Sequence, residues 1–436
     1  MSLFAEPLIE VVLVLAAVIS LGSLGLVAVI IGRRIKHEAY FKTLDLFRDQ
    51  LKTILEGVLG QTVEYPAALE RFQQLMRSRR AGAVERVFLE LLGDRRYEGI
   101  LRRTAEDIGL VEVWRRRLEE TSGTEKGNGT HPARAASFHK LRFLTQARSA
   151  ENLGRVQHRE SWCLLVDALH DPHPDVQAVA LRSLAAIAEP RSFPALVEQL
   201  RLTVSSSAPR VSERALEAAL ARFPPEFAIQ LLPLLGDEHP RVRVVAAQTL
   251  RGMLTLPGGN PVRVRERMGE EVAAAILTKL AIDDDPDVRA LAAGLLSFFE
   301  ADDPQAPQCL LRLCDDPEWF VRLQAVRALG GRQDAKFAPE FCARATDRHW
   351  RVREAALRAL ILCGPEGMES VLDLFLSTRD AYAREQIAEE LQVSGAALSL
   401  MAHLGKPGHE KETETVFQIV GMGKARYFHW LAPEKV

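Results

Sequence analysis

Five stretches of this chain follow one pattern, and that repetition narrows the choice of fold more than any other feature. DPHPDVQAVALRSL (171–184), DEHPRVRVVAAQTL (237–250), DDDPDVRALAAGLL (283–296), DPEWFVRLQAVRAL (316–329) and DRHWRVREAALRAL (347–360) share a frame. An aspartate is followed by a valine five residues on, an alanine four further and a leucine four further still. The marker valines are Val176, Val242, Val288, Val321 and Val352, with degenerate copies beginning at Val211 and Ala383. Successive markers lie 35, 31, 46, 33, 31 and 31 residues apart. An apolar stripe at i, i+4 and i+8 after a Pro/Asp-rich turn describes the start of a helix. Another helical stretch precedes each turn: Pro194–Leu200, Ile229–Leu235, Val272–Leu280 and Gln308–Leu313. A helical pair of about 30 residues cannot bury its apolar face alone, so neighbouring pairs must stack into a solenoid.

In four of the five clear copies an arginine follows the marker valine: Arg243, Arg289, Arg322 and Arg353, each six residues after its aspartate. In this the sequence resembles the bacterial HEAT-repeat family, over roughly residues 140 to 400. That family carries an inter-helix aspartate and a second-helix arginine at the same spacing. The resemblance implies that Asp237/Arg243, Asp283/Arg289, Asp316/Arg322 and Asp347/Arg353 form a structural ladder between units. The first copy departs from it, with Gln177 in the arginine position. The family is specific for fold and says little about function.

At the N-terminus, Val11–Ile31 is an uncharged apolar stretch, long enough to cross a hydrocarbon core of about 30 Å at about 1.5 Å per residue. Glu6 and Glu10 precede it, and Arg33, Arg34 and Lys36 follow, an order opposite to that of a secretory signal. The expectation is an uncleaved single-pass transmembrane helix at residues 11–31. Residues 1–10 would form a short external N-terminus and the bulk of the chain would be cytoplasmic, at a bacterial-type inner (plasma) membrane. Small residues within the stretch (Ala16, Ser20, Ser23, Gly22, Gly25) would suit docking of another membrane helix.

Residues 32–120 read as a juxtamembrane helical region. Phe41, Leu44, Phe47, Leu51, Ile54, Leu55 and Val58 recur at helical spacing there. Between residues 32 and 118 there are 18 Lys/Arg against 13 Asp/Glu, with the runs Arg77-Ser78-Arg79-Arg80 and Arg115-Arg116-Arg117. These would serve either as contacts to anionic lipid or as a solvated face. A flexible linker is expected over 121–135. It holds the glycosylation-like Asn128-Gly129-Thr130, read as a chance match. The repeat solenoid is placed at 136–404 and a C-terminal cap or interaction tail at 405–436. The fold class is therefore all-α, with a transmembrane helix, a helical region and an α-solenoid in that order.

Three features interrupt the repeat. The insertion LTLPGGNPVRVRERMGEE (254–271) carries Arg263, Arg265 and Arg267. It is either a basic loop for an acidic partner or phosphate, or a connector paired with Glu266, Glu270 and Glu271. Two residues before the marker valine stands proline in three copies (Pro174, Pro240, Pro286) and tryptophan in two consecutive ones, Trp319 and Trp350. Their rings would lie near one another on the ridge of turns, as interface anchors or as packing between repeats. Near the C-terminus, TVFQIVGMGKARYFHWL (415–431) concentrates apolar and aromatic residues, including Tyr427, Phe428 and Trp430. That segment would either cap the last repeat or anchor a partner.

A search for chemistry finds little. The sequence has no GxxxxGK[ST], HExxH or GxSxG. The eleven histidines are scattered, and His409-Glu410 is followed by Lys-Glu-Thr. Cys309 and Cys314 lack further ligands and read as small core residues. Five cysteines without CxxC spacing argue against a disulfide framework, and a formal charge of −2 leaves no whole-chain basic footprint for nucleic acid. No cofactor, metal or small-molecule substrate is expected. The functional expectation is a non-enzymatic, membrane-anchored adaptor or scaffold. Its partner would be a membrane-associated protein such as a membrane enzyme or envelope assembly, with lipid contacted through the anchor. The alternative is a HEAT-like lyase or chaperone enzyme of the bilin-lyase type.

Overall fold

A computed structural model describes residues 5–119, 132–206, 211–255, 264–300 and 302–421. For residues 5–22, 28, 132–141 and 264 it describes the backbone alone. Among the described residues every regular element is helical. In chain order the first are α1 (Ala5–Leu59), α2 (Tyr65–Met76), α3 (Ala81–Leu91), α4 (Glu98–Asp107), α5 (Leu110–Glu119), α6 (Pro132–Arg155) and α7 (Trp162–Asp167). Then follow α8 (Pro174–Ile187), α9 (Phe193–Ser205), α10 (Glu213–Leu220), α11 (Leu232–Leu235), α12 (Pro240–Leu254), α13 (Val264–Met268), α14 (Glu270–Thr278) and α15 (Pro286–Leu295). The last are α16 (Gln305–Leu313), α17 (Trp319–Gly330), α18 (Ala338–Arg344), α19 (Trp350–Leu362), α20 (Pro365–Ser377), α21 (Ala381–Val393), α22 (Ala396–Ala402) and α23 (Glu410–Gly421). The chain divides into two compact units, residues 1–164 and 165–436.

The first unit is organised by the C-terminal half of α1. Leu44, Phe47, Leu51, Ile54 and Leu55 of the expected stripe are buried, and α2 and α3 pack on that face. Phe41 belongs to the stripe by spacing but stays largely exposed, edge-on to His37 at 4.6 Å. Arg48 of α1 forks onto Glu90 of α3 with two bonds of 3.1 Å, and a bidentate pair of this kind fixes orientation as well as distance. Deeper in, Phe72 and Phe88 meet edge to face at 6.3 Å. Trp114 is fully buried, and its indole N–H donates to Glu85 at 2.6 Å.

The membrane assignment requires correction. Among the described residues no helix is long and apolar enough to cross a membrane. That overturns the single-pass inner-membrane placement with an external N-terminus and a cytoplasmic remainder. Of the apolar stretch Val11–Ile31, the side chains of residues 11–22 lie outside the described residues. The helix then continues without a break through Arg33, Arg34 and Lys36 to Leu59. The linker's Asn128-Gly129-Thr130 lies outside the described residues.

In the second unit the sequence frame becomes the core. The marker valines are at most 2% exposed, and the alanine and leucine that follow each of them (Ala180/Leu184, Ala246/Leu250, Ala292/Leu296, Ala325/Leu329 and Ala356/Leu360) are fully buried. Fully burying one such valine or leucine contributes roughly 1.5–3 kcal/mol. Five of the second helices (α8, α12, α15, α17 and α19) begin at the register position two before the marker, on Pro174, Pro240, Pro286, Trp319 and Trp350. Proline suits that first helical position because its missing N–H would be unsatisfied there anyway. Successive second helices pack on each other, and Gly330 allows the tightest approach. A Cβ at that position would stand 2.7 Å from the Cβ of Ala359.

A polar ladder runs beside this core. Each frame aspartate accepts the backbone N–H two residues on, at 2.8–2.9 Å, which shapes the turn before the helix. Each frame arginine folds back over its own turn: Nη1 of Arg243, Arg289, Arg322 and Arg353 donates to the carbonyl of Asp237, Asp283, Asp316 and Asp347 respectively. The rest of the guanidinium reaches the carboxylate of the following repeat. Arg243 forks onto Asp283 at 2.7 and 2.7 Å, Arg289 onto Asp316 at 2.7 and 3.1 Å, and Arg322 onto Asp347 at 2.8 and 2.9 Å. Within one repeat the pair is thus arginine to main chain, and the ion pair itself joins neighbours. The first copy lacks the fork, and Gln177 donates to the carbonyl of Asp171 at 2.5 Å. The last fork finds an amide, with Arg353 donating to Gln386 at 2.8 Å.

Burial pushes the Asp347 carboxyl up, but the Arg322 guanidinium and the His349 N–H outweigh it and hold it below the usual carboxylate range. The Arg322–Asp347 pair is about 5% exposed on either side. Removing one partner of such a pair leaves an uncompensated buried charge, at a cost of roughly 3–5 kcal/mol. Arg322→Ala should therefore lower the unfolding free energy of the full chain in urea by about that amount. Arg267→Ala, which removes an exposed pair with Glu226, should change it by at most about 1 kcal/mol. Equal effects would show that the ladder carries no special share of stability.

Beyond the last fork, α23 lies against α20 and α22 with Val416 and Ile419 buried, while Lys411 pairs with Asp373 at 2.5 Å. Tyr427, Phe428 and Trp430 lie outside the described residues. Deleting residues 414–436 uncovers the apolar surface under Val416 and Ile419. Calorimetry should record a lower thermal midpoint for the shortened chain, and an unchanged midpoint would rule out a capping role for this segment.

Candidate functional site

Among the described residues, the turn ridge at the second helices α17, α19 and α21 carries a cluster of exposed aromatic surface. Trp319 opens α17 and stacks flat on His349, with ring centroids 3.8 Å apart and 9° between planes. His349 in turn lies 6.4 Å from the ring of Trp350, which opens α19. The guanidinium of Arg351 stands over both indoles, 5.8 Å from Trp319 and 5.2 Å from Trp350, within cation–π range. The two tryptophans are thus joined through an imidazole and an arginine. Trp319 is half-buried, whereas Trp350 is 52% exposed.

Beside Trp350 a groove of about 430 Å³ runs between α19 and α21. On α21 its wall is formed by Tyr382, Glu385, Glu389 and Val393, a spacing that puts them on one helical face. Tyr382 is 76% and Val393 58% exposed. The base is closed by Arg358, which donates to the buried Glu390 at 3.0 Å and pairs with Glu354 at 2.6 Å. Burial pushes the Glu390 carboxyl up, and Arg358 only partly offsets it. At the groove's end Gln386 donates to the carbonyl of Trp350 at 2.7 Å while accepting from Arg353, so the last rung of the ladder sets the rim. Glu385 and Glu389 stand four apart on one exposed face, an arrangement that destabilises a helix by roughly 0.2–0.5 kcal/mol. The sequence reading missed Tyr382, which sits one residue past the register position of the two tryptophans. The degenerate copy at Ala383 hid that offset.

The other candidate residues behave differently. Arg263 lies outside the described residues. Arg265 donates to Asp303 at 2.6 Å, to Gln305 at 3.1 Å and to Glu270. Its hydrogen bonds to Glu270 and Asp303 raise its affinity for the proton above the ordinary guanidinium range. Arg267 reaches Glu226 at 3.3 Å. Both arginines therefore tie the insertion to the repeats around it. Cys309 and Cys314 are buried small residues, and burial pushes the Cys314 thiol up to about 12. A second hollow, of about 770 Å³, lies among α8, α10 and α12, walled by alanines with Arg182 and Arg222.

HEAT repeats match this chain over residues 142–218, 230–323 and 308–392. No curated protein matches it. Among solved structures it is similar to an engineered protein at 18% identity and a TM-score of 0.34, covering 80% of this chain and 98% of that one. Similarity to Kap121p is 13% identity with a TM-score of 0.39, covering 82% of this chain. The chain spans 45% of the length of Kap121p. Similarity to the YibA protein of E. coli is 15% identity with a TM-score of 0.33, covering 65% and 96% of the two chains. Scores this low carry no argument about function.

Burial, then the neighbouring Arg351 charge, holds the His349 imidazole below its ordinary value of 6.5. A histidine depressed in the folded state adds stability that is present above the unfolded value and lost as pH falls through it, because the unfolded chain binds the extra proton first. The thermal midpoint of the full chain should therefore decline as pH falls below about 6.5, and His349→Gln should flatten that part of the profile. An NMR titration placing the His349 midpoint at or above the ordinary value would contradict the assignment.

Proposed function

This chain belongs to the HEAT-repeat family, and we propose that it is a non-enzymatic scaffold that holds a protein partner along the α19–α21 groove. Stacked helical repeats present extended surfaces of this kind to partners. The observation that carries the reading is the exposure of Trp350, Tyr382 and Val393 around one groove whose outer wall is acidic. Aromatic side chains dominate the buried cores of interfaces, and charged groups belong at the rim. The partner that fits is a protein segment presenting one apolar side chain flanked by lysine or arginine. Such a segment would cover the aromatic edge and set its cations against the acidic wall. Binding rather than catalysis is supported by the groove's own charges: Arg353 and Arg358 are committed to Gln386, Glu354 and Glu390, which form its frame.

Affinity capture with the full chain tests this reading when wild type is compared with Trp350→Ala/Tyr382→Ala and with Glu385→Lys/Glu389→Lys. A protein recovered by wild type should be lost from both variants, with each exposed anchor contributing roughly 1–2 kcal/mol to binding and the thermal midpoint unchanged. Recovery that is the same for all three proteins would sink the proposal. Arg265→Ala provides the contrast: it should disturb stability and leave capture by the folded fraction intact.

A further inference from the structure

Between α22 and α23 the chain makes a short return that places three metal-ligating side chains together. His403 follows α22 directly, His409 stands immediately before α23, and Glu412 lies in the first turn of α23. The return depends on Gly405 and Gly408, whose φ values of +72° and +85° lie in the left-handed region that favours glycine. It is pinned by the Gly405 N–H donating to Thr413 at 3.2 Å and the Gly408 N–H donating to Glu410 at 2.9 Å. As a result the two imidazoles stack with centroids 4.2 Å apart and 26° between planes. Both Nδ1 atoms face the same Oε2 of Glu412, at 3.1 Å from His403 and 2.5 Å from His409. One ligand atom from each of the three residues lies within 4.8 Å of the others, and among the described residues this is the grouping of three that could hold a metal ion.

From this geometry we infer that His403, His409 and Glu412 form a binding site for a divalent transition-metal cation of the zinc type. Two imidazole nitrogens and one carboxylate oxygen are a donor set that zinc accepts, at about 2.0–2.2 Å from each. Tetrahedral coordination at those lengths spaces ligand atoms about 3.3 Å apart, close to the observed 3.1 Å and within a small side-chain adjustment of the observed 2.5 Å. Magnesium and calcium prefer sets made wholly of oxygen, which this is not. The three side chains are only half-buried, so a fourth position faces water. The cation would fasten α23 to the end of α22 and hold Val416 and Ile419 on the surface they cover. The sequence signal is H-x5-H-x2-E across a Gly-Lys-Pro-Gly turn, a pattern outside the usual zinc motifs and hidden among scattered histidines.

The test uses the full chain, stripped with a chelator and titrated with zinc chloride by calorimetry. Wild type should take up one equivalent at this site and its thermal midpoint should rise. His409→Ala and the near-isosteric Glu412→Gln should each weaken that uptake at least about a hundredfold, since loss of even a supporting residue costs 10–100-fold. Both variants should keep the helical circular dichroism of the metal-free chain, and Glu412→Gln decides the matter if His409→Ala does not fold. Absence of zinc uptake by wild type, uptake equal in wild type and Glu412→Gln, or an equal response to magnesium would each overturn the inference.

Discussion

An arginine side chain that closes its own turn with one nitrogen and grips the next repeat's carboxylate with the others is the interaction on which the second unit depends. The apolar stripe of valine, alanine and leucine supplies the larger share of the driving force, but burial is non-directional and would tolerate one helix sliding along its neighbour. The fork does not tolerate it. Nε and Nη2 of Arg289 reach the two oxygens of Asp316 only when the turns of both repeats stand at one height, and Asp316 is itself fixed by the N–H of Glu318. Repeat-to-repeat register is therefore written in the ladder, and the close contact of Gly330 with Ala359 follows from it.

The ladder also explains where the exposed aromatic surface falls. In its interior, carboxylates meet guanidinium groups and the ridge of turns begins on proline at α12 and α15. Towards its end tryptophan replaces proline, and the last fork meets the amide of Gln386 instead of an aspartate. A neutral amide has a donor as well as an acceptor, so Gln386 can bond Arg353 and the carbonyl of Trp350 at once. The rim that carries Trp350 and Tyr382 is thus held by the same device that stacks the repeats.

Two stretches of the sequence take their meaning from the fold around them. An apolar stretch before a basic cluster reads as a membrane span when taken as an isolated segment. In the structure the helix continues through the cluster to Leu59, and its later turns bury Leu51 and Leu55 against α2 and α3. The arginines of the insertion read either as a basic surface or as a connector paired with Glu266, Glu270 and Glu271. Arg265 and Arg267 are held by Glu270, Asp303 and Glu226, two of which lie some forty residues away in sequence. In the second case two of the three carboxylates that decide the arginines' role are distant along the chain.

What this sequence determined by itself is the repeating unit: the second helix of each clear copy, its buried stripe and the residue types of the ladder. Those depend on neighbours within about ten residues, where the 3.6-residue period and turn chemistry act directly. Only the tertiary structure decided that Arg243, Arg289 and Arg322 each pair with the following repeat's aspartate, that Tyr382 joins Trp350 around one groove, and that His403, His409 and Glu412 converge. These contacts close between separate elements, and their geometry is set by how helices stack, a quantity that no local pattern encodes.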